Sequence, residues 1–466
     1  MSDRELGYLS ASELLDAYRR KTLSPVEATR AALSRIERLD RRLNAFCLVD
    51  AEGALAAARQ SEARWAKGAP MGLLDGVPAT VKDLFLTRGW PTLRGSKLVK
   101  RDQPWEEDAP AVARLREHGA VLLGKTTTPE FGWKALGDSP LTGVTRNPWN
   151  LEHTPGGSSA GAAAALAAGI GALALGTDGG GSIRIPGAFC GIAGLKPTFG
   201  RVPAYPASPM GLLSHAGPMA RSVADTALLL TVLAGTDARD PYRLPPEGRD
   251  YRDGIAGGVA GLRIALSLTL GYARVDPEIR AAVEAAAETF RALGAHVEAA
   301  DPGFASPRDA FTTLWTAGAA RVVANQPPEA RRLMDPGFAA SVEMGATYSA
   351  VQYLEADAVR TALGQRMSVF HERYDLLLTP TVAVPALPVG QDLTDPSRET
   401  YWIDWTPFSY PFNMTRQPAA TVPCGLTKSG LPIGLQIVGR LYEEPLVLRA
   451  ARAFEATQTP LCPALD

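Results

Sequence analysis

The chain reads as an α/β protein: a single large domain with a mostly mixed or parallel central sheet, covered by helices on both faces. Two observations predict this. Strand-like and helix-like segments alternate over the whole length, as layered α/β folds require. Several strand-like runs are apolar without interruption, among them Ala120-Val121-Leu122-Leu123 and Ala172-Leu173-Ala174-Leu175, as expected of strands buried on both faces. At 466 residues the chain exceeds the usual single-domain size, yet large α/β proteins reach this length as one unit. With no internal repeat and no long linker, one domain over 1–466 is the expectation.

Taken in order, Ser10-Ala11-Ser12-Glu13 and Ser24-Pro25-Val26-Glu27 both carry the S-x-x-E capping signature, the second with proline at the first helical position. Two amphipathic helices follow, the second running through Ile36 and ending near Asp40. An Ala-rich helix covers residues 51–65. From Gly76 the texture changes to short apolar strands punctuated by Gly and Pro. Ser222 caps a helix that reaches Leu233 and is closed by Gly235, and residues 262–268 read as a strand. Asp276-Pro277-Glu278 opens a helix with Ile279, Val283, Ala286, Phe290 and Leu293 on one face, and Gly294 stops it. Asp375-Leu376-Leu377-Leu378 and Gly434-Leu435-Gln436-Ile437-Val438 add late strands. The stretch 237–258, rich in Pro, Gly and charge, reads as a surface excursion.

Composition narrows the function. The chain is 46% hydrophobic and 21% charged, with a net charge of −1. No basic excess exists to neutralise phosphates, so nucleic-acid binding by bulk electrostatics is not expected, nor is attraction to a membrane surface. Cys47, Cys190, Cys424 and Cys462 have no CxxC or CxxH spacing and read as reduced thiols of a cytoplasmic protein, with no metal site. The start lacks a basic region followed by an apolar stretch, so no signal peptide is expected.

Three loops carry the chemistry. Asp178-Gly179-Gly180-Gly181-Ser182-Ile183-Arg184 sets a serine after three glycines, whose missing side chains let backbone N–H groups converge on one point. Converging donors suit a tetrahedral acyl oxyanion, so Ser182 is a candidate nucleophile. Asp178 and Arg184 bracket the loop and can hold its shape. Pro155-Gly156-Gly157-Ser158-Ser159-Ala160-Gly161 leads into a helix of about residues 160–168, where Ser158 or Ser159 serves either as a helix cap or as a relay group. Lys82 ends an apolar segment from Gly76, and desolvation there would lower its pKa and let it accept a proton. Asp83 could instead pair with Lys82 and keep it charged; the sequence leaves both open. The combination points to acyl transfer without metal or cofactor.

These segments resemble the amidase signature family: Lys82 in a G-V-P-x-x-x-K-D stretch, the G-G-S-S-x-G loop, and D-x-G-G-S-I-R followed by P-x-x-x-C-G-x-x-G-L-K-P-T. The likeness continues to Gly434-Leu435-Gln436-Ile437-Val438-Gly439, with the catalytic signature core over about 76–235 and the helices of about 1–65 packing on it. The resemblance implies Ser182 as nucleophile, Lys82 as base, and Ser158, 24 residues before Ser182, as a bridging serine on a cis peptide. Gly179, Gly180, Gly181 and Ser182 match the oxyanion-hole positions. It also implies hydrolysis of a small carboxamide, ester, carbamate or ureido compound, with no cofactor; a homodimer is left open. Gly179, where many relatives carry Thr, should widen the floor of the site. After Gly200-Arg201-Val202 the chain reads Pro203-Ala204-Tyr205-Pro206 in place of the R-Y-G-L of the glutaminase subunit of the tRNA-dependent amidotransferase, which favours a free-standing hydrolase.

Other readings compete. Gly119-Ala120-Val121-Leu122-Leu123-Gly124-Lys125-Thr126 fits the P-loop pattern, but its middle reads as strand and Thr128-Pro129 follows where a helix should start. Gly157-Ser158-Ser159-Ala160-Gly161 fits the nucleophile elbow of an α/β-hydrolase esterase around Ser159, with His371 the nominal triad base. A non-catalytic binding protein on the same scaffold is a third. Phe131-Gly132-Trp133 and the aromatic residues Tyr401, Trp402, Trp405, Phe408, Tyr410 and Phe412 are candidate pocket walls.

Overall fold

The computed structural model describes residues 2–465. Its strands are β1 (Phe46–Val49), β2 (Pro78–Lys82), β3 (Val121–Thr126), β4 (Asp138–Ser139), β5 (Gly143–Val144), β6 (Leu173–Asp178), β7 (Ala193–Lys196), β8 (His215–Ala220), β9 (Arg263–Leu266), β10 (His296–Ala299), β11 (Leu376–Pro380), β12 (Ala419–Leu426) and β13 (Pro432–Gly439). One 11-stranded sheet runs β1-β3-β2-β6-β8-β7-β12-β13-β11-β9-β10, and β4 pairs with β5 alone. The sheet is mixed. Strands β3, β2 and β6 are parallel on one side, and β11, β9 and β10 on the other. Between them, from β6 through β8, β7, β12 and β13 to β11, every pair is antiparallel.

Side-chain alternation along β3 explains why both faces must be covered. Val121 and Leu123 enter one cluster with Val26, Ile36, Leu43 and Ala54 from the N-terminal helices Pro25–Leu43 and Ala51–Ala66. Leu122 enters the other, with Val81, Leu173, Val112 and Leu229. Each such Leu or Val contributes roughly 1.5–3 kcal/mol on burial, so neither face is dispensable. The serine caps are made: the Ser10 and Ser24 hydroxyls accept the N–H groups of Glu13 and Glu27. The second helix passes Asp40 to Leu43 and stops at Asn44, whose left-handed backbone breaks the ladder.

The P-loop lookalike is strand from Val121 to Thr126. Its Gly124 is required by close approach, since a Cβ there would lie 2.0 Å from the Leu48 carbonyl of β1. The stretch 237–258 contains no helix or strand. It is pinned at Asp240, whose carboxylate accepts the N–H groups of Ala204 and Tyr242 at 2.9 and 2.8 Å. The helix Arg308–Val322 packs against both Pro336–Gly345 and Ala350–Arg373. Among the described residues, no helix is long and apolar enough to cross a membrane.

Candidate active site

Parallel strands present their C-terminal ends on one edge, which is where α/β sheets place functional groups. Strands β2 and β6 are hydrogen-bonded parallel neighbours, with Ala79 opposite Leu173 and Val81 opposite Leu175. Lys82 ends the first and Asp178 the second, so the sequence-derived base and glycine loop leave the sheet side by side.

The Lys82 side-chain nitrogen is fully buried, and its three partners are hydroxyls: Ser158 Oγ at 2.8 Å, Thr177 Oγ1 at 2.8 Å and Ser159 Oγ at 3.1 Å. Burial drives its pKa well below that of an ordinary lysine, with the charge of Asp178 opposing only in part. Asp83 does not neutralise it. That carboxylate turns to Lys125 at 3.3 Å. Ser158 follows a cis Gly157–Ser158 peptide. An unprotonated amine in hydrogen-bond contact with a hydroxyl can take its proton.

Neither serine caps the helix Ala160–Ala167 through its side chain. The Ser159 hydroxyl is held between Lys82 and the backbone of Thr177, accepting its N–H at 3.3 Å and lying 3.2 Å from its carbonyl. It is fully buried, whereas Ser158 and Ser182 both line an open cleft of about 590 Å³. His371, the base an elbow mechanism would need, lies on the helix Ala350–Arg373 and hydrogen-bonds the Tyr374 carbonyl through Nδ1. Burial pushes its pKa down to about 4. It does not line the cleft.

A buried ion network shapes the glycine loop. The Asp178 carboxylate accepts from Arg184 Nε and Nη2, both at 2.9 Å, from Asn413 Nδ2 at 2.8 Å and from the Gly181 N–H at 2.8 Å. Burial alone would raise its pKa, but the Arg184 guanidinium and these donors hold it far below the carboxylate range. Arg184 is tied in turn to Gln436 Oε1 at 2.7 Å and the Ser409 carbonyl at 3.0 Å. One expectation is corrected here. The Gly181 N–H points to Asp178 and is not free for a ligand, while those of Gly179, Gly180 and Ser182 have no protein acceptor among the described residues.

A second correction concerns Gly179. The missing side chain leaves no wider floor, because the Trp315 ring fills it: a Cβ at 179 would lie 2.8 Å from Trp315 Cζ3. At Gly180 a Cβ would meet Phe311 at 2.9 Å and Trp402 at 3.1 Å. Of the aromatic group 401–412, Trp402 backs this loop together with Phe311 and Trp315, and none of the six members lines the cleft. Phe131 and Gly132 do line it. Sequence reasoning missed Thr177, Ser409, Asn413 and Gln436. All are ordinary polar residues locally, and only the folded chain brings the last three to Asp178 and Arg184.

Comparison with known proteins fits this geometry. The amidase family profile matches residues 27–448. The chain is 40% identical, over 97% of both chains, to a glutamyl-tRNA(Gln) amidotransferase subunit of Geobacter metallireducens. It is 38% identical to an acylamidase of Rhodococcus erythropolis, over 98% of this chain and 97% of the relative. A solved bacterial aryl acylamidase of the amidase signature enzymes superposes with a TM-score of 0.90 at 32% identity, covering 97% of this chain and 96% of that one. The peptide amidase of Stenotrophomonas maltophilia does so at 0.84 and 30%, covering 98% of each. The class so defined is that of hydrolases acting on amide C–N bonds. Within it, the chain belongs to the amidase signature family.

Proposed function

We propose that this chain is a free-standing amidase that forms an acyl-enzyme on Ser182. Neutral Lys82 takes a proton from Ser158, which takes one from Ser182 as its Oγ attacks the amide carbon. The N–H groups of Gly179, Gly180 and Ser182 receive the oxyanion. The relay returns the proton to the departing nitrogen as the C–N bond breaks, and water, activated by the same groups, releases the acid. The observation that carries this reading is a buried lysine bonded only to hydroxyls, one of which shares the cleft with Ser182.

The cleft supports small amides with an apolar or aromatic group, since Leu84, Phe131, Met210, Trp315 and Val322 line it. A second reading, glutamine hydrolysis within an amidotransferase complex, is favoured by the 40% identity to the Geobacter protein. Against it, no carboxylate lines the cleft among the described residues to receive the α-ammonium group of glutamine. Pro203, Ala204, Tyr205 and Pro206, where the sequence leaves the glutaminase pattern, are part of the wall.

The test is labelling with a fluorophosphonate, followed by turnover of acyl anilides and of glutamine. Ser182→Ala should abolish both labelling and turnover, a loss of at least about 10³. Retained activity in Ser182→Ala with loss in Ser159→Ala would sink the assignment, and preferential glutamine turnover would favour the amidotransferase reading.

A further inference from the structure

Two residues bordering the cleft hold a backbone conformation that non-glycine residues seldom adopt. Arg94 has φ +58° and Phe131 has φ +50°, and the Phe131 N–H donates to the Arg94 carbonyl at 2.8 Å. Each is followed by a glycine that is also left-handed, Gly95 at +63° and Gly132 at +72°. Gly95 is locked in place, since a Cβ there would lie 2.4 Å from the Thr128 carbonyl. Strain of this kind, cross-braced by a hydrogen bond, gathers where side chains must be aimed at a ligand.

What is aimed is a half-buried guanidinium. Arg94 forms no ion pair or side-chain hydrogen bond among the described residues. Asp83, whose charge reaches it, is engaged by Lys125 and by the Gly95 N–H. Glu106 and Glu107 border a neighbouring hollow that Arg94 shares, without an ion pair to it. Lys100 and Arg321, which also line the cleft, have no carboxylate partner among the described residues either. A partly desolvated guanidinium lacking a protein acceptor favours an anion, and its planar fork matches a carboxylate.

Resting on the amidase reading, we infer that the enzyme's substrates are amides bearing a carboxylate away from the scissile bond, and that Arg94 binds it beside Phe131. Lys100 and Arg321 at the mouth add attraction that salt screens. With no acid lining the cleft among the described residues, zwitterions are rejected while simple anions are admitted.

The experiment compares matched amides. On the acyl side the pair is butyryl and succinyl 4-nitroanilide; on the amine side it is butyranilide and 4-(butyrylamino)benzoate. The readouts are kcat/KM in the active enzyme and Kd in Ser182→Ala. In at least one pair the carboxylate member should be preferred by about 10- to 100-fold, the worth of a charge-assisted hydrogen bond. Arg94→Asn keeps a residue type that tolerates the left-handed backbone. It should bring that ratio close to one, chiefly through KM, and Arg94→Lys should restore part of it. No preference in either pair, or a preference that Arg94→Asn leaves intact, overturns the inference. Turnover surviving in Ser182→Ala would instead overturn the catalytic assignment, and the Kd ratios would still decide the role of Arg94.

Discussion

Two fully buried lysines lie on adjacent strands of one sheet and have opposite surroundings. Lys82 ends β2, and Lys125 sits on β3 opposite Val81. Lys125 has a carboxylate, Asp83 at 3.3 Å, as well as the Phe85 carbonyl at 2.8 Å and Thr92 Oγ1 at 2.6 Å. Lys82 has hydroxyls only. Burial lowers both pKa values, but at Lys125 the Asp83 charge opposes the shift, while Lys82 falls further. The difference teaches that burial alone does not make a base. What matters is whether the acid next in sequence is spent on another cation. Asp83 follows Lys82 directly, yet the chain turns after β2 and hands its carboxylate to the neighbouring strand.

The comparison breaks most sharply at Lys82 itself. Lys82→Met preserves length and burial but removes the proton acceptor, so kcat should fall by about 10²–10⁴ with the unfolding midpoint little changed. A variant that keeps near-normal kcat would end the case for Lys82 as base. Lys125→Met should behave in the opposite way. It strands Asp83 in the interior, and breaking a buried pair from one side costs about 3–5 kcal/mol. Denaturant unfolding should register that loss, while kcat of the folded fraction stays within a few-fold. If Lys125→Met instead kills turnover in a stable protein, the two roles are wrongly divided.

The pH profile sharpens the same contrast. The reactive form of Lys82 is neutral, so kcat/KM should fall about tenfold per pH unit below its pKa and level off above it. The charge of Asp178 favours the protonated amine and raises that pKa. Asp178→Asn should therefore move the acid limb to lower pH, besides slowing the reaction through loss of the loop's anchor. Lys125→Met should leave the limb where it is. A rate that does not vary across the acid range, or a limb unmoved by Asp178→Asn, would contradict a desolvated lysine base.

Much of this is legible in the sequence. Ser10 and Ser24 announce their helices because capping chemistry is local, and the uninterrupted apolar runs at 120–123 and 172–175 announce a two-faced sheet. The glycine-serine loops stand out because few other roles call for such sequences. What stays hidden depends on contacts between distant segments. No local pattern ties Asn413 or Gln436 to Asp178 and Arg184, pairs separated by more than 200 residues. The partner of Asp83 cannot be read because two lysines are equally eligible until β2 and β3 are set in register. The antiparallel centre of the sheet is equally opaque, since buried strands look alike whichever way they run.

The finest test replaces ion chemistry with packing. The N–H groups proposed for the oxyanion sit on a loop pressed against Trp315 and Phe311, whose rings stack 5.5 Å apart. Trp315 is also fixed by its indole N–H, which donates to the Trp133 carbonyl at 3.0 Å. Gly179 carries no positive φ, so a side chain there is opposed by this wall alone and not by backbone geometry. Gly179→Ala must push its new methyl into Trp315 Cζ3, displacing donors that act only within a few tenths of an ångström of their mark. We expect kcat to fall by roughly three- to tenfold, smaller than any effect above because the donors move and are not lost. Trp315→Leu vacates the space, so the double variant should regain part of that rate, with a coupling of about 1 kcal/mol. Additive losses would place the cause outside this contact and detach the aromatic wall from catalysis. They would leave the lysine comparison untouched, because Trp315 is a hydrogen-bond partner of neither lysine.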